Sequence, residues 1–186
     1  MLPTRYLQSS ELTSLLNFIQ SGRQKRLVLV GEYAHFSQVY GWLNVILNNI
    51  AEFLGVGTRF STDYAAAPDP GDTYDSGVDP TRLCEVNSGH YLMSGVTNMW
   101  DTMTSTFQPG WGGYSTALAY IHDDPTPGDP SDPNPPFIVA IDSENAGSIV
   151  LIHDQSVMRP EYNHDWDTFP NKNYKFIYNL CTIFPQ

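Results

Sequence analysis

Four consecutive aliphatic residues, Leu27, Val28, Leu29 and Val30, stand between Lys25-Arg26 and Gly31 with no polar alternation. An apolar run of that kind predicts a strand buried on both faces, as in parallel sheets covered by helices. Upstream, Leu12, Leu15, Leu16 and Ile19 recur at helical spacing. They predict a helix over 11–20, capped by Ser9 or Ser10 and ended by Gly22. Downstream, Val39, Trp42, Leu43, Ile46, Leu47, Ile50, Phe53 and Leu54 recur at steps of three and four. This predicts a second helix over 38–54, with Ser37 as cap and Gly55 as stop. Residues 56–60 read as a short returning strand.

Further along, 83–86, 116–122, 137–142 and 148–153 each carry strand patterns, and 171–183 carries the pattern of a last helix. The turn Asn145-Ala146-Gly147 makes an antiparallel hairpin of the strands on either side of it. Residues 63–81 and 123–136 are rich in Asp, Pro and Gly, which excludes helix and central strand and leaves two acidic loop insertions. The expected architecture is a single α/β domain over 1–186. It is a three-layer, mostly parallel sheet flanked by helices, with a C-terminal β-hairpin.

Charge changes this picture more than composition does. Nine Lys and Arg against 20 Asp and Glu give a formal net charge of -11. Such a field disfavours nucleic acid and anionic membranes and favours cations or basic partners. Asp69, Asp72, Asp75 and Asp79 lie close enough in sequence to be candidate calcium ligands, although their spacing is not that of an EF-hand loop. The competing reading is a solvated acidic loop, with no cofactor. No apolar run reaches the length that spans a bilayer, and the first residues lack the apolar core of a signal peptide. Few lysines and long acidic loops favour an extracytoplasmic or secreted setting over a cytoplasmic one. Cys84 and Cys181 are too few and too far apart for a thiolate metal site, which leaves one disulfide or two buried free thiols.

The order ELTSLLNFIQSG, RLVLVGEYAHF, helix, SGHYLMSGV, FIVAIDSENAGSIVLIHDQSVM and aromatic-rich last helix resembles the class I glutamine amidotransferase-like superfamily of flavodoxin-like fold. Within it the chain looks like the bacterial branch of trehalose-utilisation-like and surface-protein domains. The resemblance spans most of the chain outside the acidic insertions, on short motifs. It departs from the enzymes at Gly31-Glu32-Tyr33-Ala34-His35, where Tyr33 stands in place of the nucleophilic Cys. Without a thiolate the glutaminase mechanism has no attacking atom. A strand that the family usually places before its first helix is also missing. The expectation is a truncated chain or a stub over 4–7, and a sheet edge left open to pairing between copies.

Ligands of open α/β sheets lie at the carboxyl ends of the strands, which singles out Glu32, Tyr33 and His35. The resemblance implies that His153 and Asp154, after another strand, come near them. Glu32, His35, His153 and Asp154 are thus candidate general bases, orienting groups or metal ligands. The plainer alternative is that Glu32 holds backbone N–H groups and that His153 is a hydrogen-bonded strand-end residue. His90, in SGHYLMSGV, and Trp111, between glycines, complete the candidate ligand-binding set. Three readings follow. The chain is a non-catalytic module binding a small molecule, glycan or protein, or a hydrolase or carbohydrate-modifying enzyme using Glu32 and His153, or a purely structural domain.

Overall fold

A computed structural model describes residues 5–32, 42–60, 85–97, 99, 107, 115–120, 136–153, 155–158 and 172–185. The α-helices are α1 (Ser9–Gln20), α2 (Leu43–Phe53) and α3 (Lys172–Thr182). The strands are β1 (Arg26–Val30), β2 (Glu85–Val86), β3 (Thr116–Tyr120), β4 (Ile138–Ile141) and β5 (Ser148–Ile152). They form one mixed sheet in the order β1-β5-β4-β3-β2.

Strand alternation sends side chains to opposite faces and so creates two cores. Leu27 and Leu29, Ile149 and Leu151, and Val139 and Ile141 join Leu12 and Ile19 of α1 and Leu43, Ile46, Leu47 and Ile50 of α2. Val28 and Val30, Val150 and Ile152, and Ile138 and Ala140 join Phe176 and Leu180 of α3 and Leu92 and Met93. A bulge in β3 between Ala117 and Ala119 breaks the alternation there. Leu118 and Ala119 therefore share one core, while Ala117 and Tyr120 share the other.

The mixed α/β class and the antiparallel β4-β5 hairpin are as expected, but the mostly parallel sheet is not. Among the described strands only β1 and β5 pair in parallel, and the β2-β3, β3-β4 and β4-β5 pairings are antiparallel. Uninterrupted apolar runs such as Ile149 to Ile152 report burial on both faces, and helix-covered antiparallel strands produce the same pattern.

Three local expectations are also corrected. The cap of α1 is Gln8 rather than Ser9 or Ser10: its N–H donates to the Glu11 carboxylate at 2.7 Å. Arg5 grips that carboxylate through both Nη atoms at 2.8 and 2.9 Å. The Arg5 hydrogen bonds, then the Gln8 N–H, lower the Glu11 pKa to about 2. The second helix, in its described part, starts at Leu43, because Trp42 before it is in the left-handed region at φ 65°. Residues 33–41, including the expected cap Ser37, lie outside the described residues. Within 56–60 the chain makes only a bridge, Phe60 to Phe107. The Asn48 side chain replaces the missing strand partner, accepting from Phe60 N–H at 2.7 Å and donating to Phe60 C=O at 2.9 Å. Cys181 is exposed on α3, which removes the buried-thiol alternative for it, while Cys84 lies outside the described residues. Among the described residues, no helix is long and apolar enough to cross a membrane.

Candidate functional site

At the carboxyl end of β1 the ladder runs one residue past the strand, with Gly31 N–H donating to Ile152 C=O at 2.8 Å. Gly31 is obligatory by packing. A Cβ there would stand 2.7 Å from the Phe60 ring and 2.9 Å from Asn44 Oδ1. This close approach lets Asn44, in the first turn of α2, reach the backbone of the next residue. Its Oδ1 accepts from Glu32 N–H at 3.0 Å and its Nδ2 donates to Glu32 C=O at 2.7 Å. Asn44 and Asn48 are one helical turn apart and do the same work at Glu32 and Phe60. Sequence reading missed both, although polar residues on the apolar face of an amphipathic helix were the signal.

Glu32 itself is buried, and its carboxylate accepts a hydrogen bond from Gln155 Nε2. Gln155 opens the 3-10 turn Gln155–Met158 that follows β5 and is a further residue the sequence did not single out. The parallel register sets Val30 beside Ile152, so His153 leaves the sheet at the same end as Gly31 and Glu32. Its N–H donates to Phe137 C=O at 2.8 Å. The His153 ring is fully buried, with the Phe60 and Phe107 rings at centroid distances of 5.5 and 5.4 Å. Burial lowers its pKa to about 3, so the imidazole is neutral at physiological pH.

His90 is not brought to this end. It caps the 3-10 turn Tyr91–Met93, its Nδ1 accepting from Leu92 N–H at 3.3 Å. Its Nε2 pairs with Asp142 Oδ2 at 2.9 Å, and Tyr91 Oη donates to Asp142 Oδ1 at 2.8 Å. Asp142 follows β4, which runs against β5, so this cluster lies at the opposite end of the sheet from Glu32. Burial raises the Asp142 pKa, but the hydrogen bonds from His90 and Tyr91 outweigh it and hold the carboxyl below its usual range. Burial, then the Asp142 carboxylate, raises the Tyr91 hydroxyl. Arg26 joins the group by donating from Nη2 to Tyr91 Oη at 3.4 Å, while its Nε donates to Ser148 Oγ at 2.9 Å.

Of the expected site residues, the structure thus brings Glu32 and His153 to one end of the sheet. Tyr33, His35, Trp111 and Asp154, and the candidate calcium ligands Asp69, Asp72, Asp75 and Asp79, lie outside the described residues. No protein-family model matches the chain, and no curated protein is significantly similar to it.

Proposed function

We propose that this chain is a non-catalytic binding module; the parallel β1-β5 pair is what it shares with the expected amidotransferase-like fold, the rest of the described sheet being antiparallel. The observation that carries the reading is the engagement of Glu32 and His153. A general base must reach a substrate proton directly or through one water. Glu32 is instead 3% exposed and holds Gln155, and the His153 imidazole is enclosed with two phenylalanine rings. Both side chains are engaged inside the protein, Glu32 with Gln155 and His153 against Phe60 and Phe107.

Among the described residues, this end offers Trp42 to a partner. It is 55% exposed, two residues before the Asn44 that fixes Glu32, in a backbone conformation that a bulky residue adopts only when its surroundings hold it there. An exposed indole beside the Asn44 anchor suits stacking on a sugar face or anchoring a peptide. Glycan and peptide arrays probed with the whole chain test the reading. Binding should appear and fall at least tenfold in Trp42→Ala, with the fold retained by circular dichroism. Turnover of any ester, amide or glycoside that Glu32→Gln abolishes would overturn it.

A further inference from the structure

The described sheet ends at β1, and the hydrogen bonds of that strand show which backbone groups its neighbour uses. Ser148 N–H donates to Lys25 C=O, and Gly31 N–H donates to Ile152 C=O. In a parallel ladder alternate residues face the same neighbour, so Lys25, Leu27, Leu29 and Gly31 face β5. Arg26, Val28, Val30 and Glu32 face outward. The outward groups of Glu32 are taken by Asn44. Those of Arg26, Val28 and Val30 have no hydrogen-bonded strand beside them among the described residues.

We propose that this edge pairs with β1 of a second copy, antiparallel, about a two-fold axis at Val28. The free stretch is bounded by the turn at Gly22 to Lys25 on one side and by the Asn44 amide on the other. Among the described residues that leaves the outward N–H and C=O groups of Arg26, Val28 and Val30, at the spacing an extended strand matches. In the two-fold register Val28 meets Val28, Leu27 meets Leu29 and Arg26 meets Val30. No like charges stand opposite one another, and both cores continue across the axis. Natural edges are blunted by proline, bulges or projecting charge. β1 has none of these, because its one charged side chain, Arg26, is folded back onto the carbonyls that end α3. Arg26, Leu27, Val28 and Val30 are all only partly buried, as an edge awaiting a neighbour would be. The net charge of -11 on each copy opposes association, so the dimer strengthens as salt screens that repulsion.

Sedimentation velocity and residue-resolved amide exchange on the whole chain, from low micromolar to near-millimolar concentration and at two salt levels, test this independently of any ligand. The mass should double with concentration, more readily at high salt. The amides of Arg26, Val28 and Val30 should change from fast to protected exchange in step, while Leu27 and Leu29 stay protected throughout. Val28→Pro removes one outward donor at a position where an edge tolerates proline, and should keep the chain monomeric. If that variant fails to fold, the exchange pattern of the unaltered chain decides alone. A monomer at every concentration, protection of the three amides in the monomer, or a dimer in which they still exchange fast would each overturn the proposal.

Discussion

Asn44 carries more of the candidate site than any acidic or basic residue there. Its side-chain amide supplies both partners that the outward N–H and C=O of Glu32 would otherwise take from a strand. Removing it strands two backbone groups beside a residue that is itself buried, a loss of about 2–4 kcal/mol. Asn44→Ala should therefore lower unfolding free energy by about that amount in urea titration. Asn48→Ala should do less, because Asn48 is only partly buried. Asn44→Asp should be no better than alanine at neutral pH, since a carboxylate cannot donate to Glu32 C=O and stands near a second buried acid. Losses below about 0.5 kcal/mol in Asn44→Ala would show that the amide is incidental.

Among the elements, α3 is tied to the sheet by Arg26 as well as by its apolar face. The guanidinium donates to the carbonyls of Leu180, Ile183 and, at 3.4 Å, Asn179, and stacks 4.8 Å from the Phe184 ring centroid. A cation at a helix C-terminus also meets the negative end of the helix dipole. Arg26→Ala should cost about 2 kcal/mol and speed amide exchange in the last turn of α3, with α1 unaffected. Arg26→Lys should recover little, because an ammonium cannot fork across several carbonyls. Retained protection in α3 would contradict this tether.

The described helices and sheet strands were legible from periodicity, whereas the strand expected over 56–60 was not formed and the 3-10 turns were not foreseen. Leu12 and Ile19 do face the core of α1, and Phe176 and Leu180 that of α3. Strand direction was not legible in the apolar runs, because burial on both faces leaves no alternation to read. Trp42 and Phe53 fit the helical stripe and are nevertheless exposed, since their positions are set by where α2 starts and stops. Within the site, Glu32 and His153 were found by their place at strand ends. Asn44 and Gln155 were overlooked because their role, hydrogen-bonding a buried neighbour, has no signature until the fold brings the two together.

For the molecule as a whole, the buried His153 links stability to pH. Its pKa is 6.5 when unfolded and about 3 when folded, so between those values only the unfolded chain takes up the proton. Stability from the neutral ring is fully present above pH 6.5 and is lost as pH falls toward 3, on the order of 5 kcal/mol across the window. Relief of the -11 net charge by carboxylate protonation acts in the opposite direction, so the comparison is with His153→Phe, whose stability should fall less over the same range. The most direct test of the claim that this end of the sheet is closed architecture is an NMR titration of the His153 ring in the folded chain, assigned by loss of its signals in that variant. The imidazole should stay neutral from pH 7 down to acid unfolding. A ring that titrates near 6.5 while the chain remains folded would place His153 in contact with water and contradict the account.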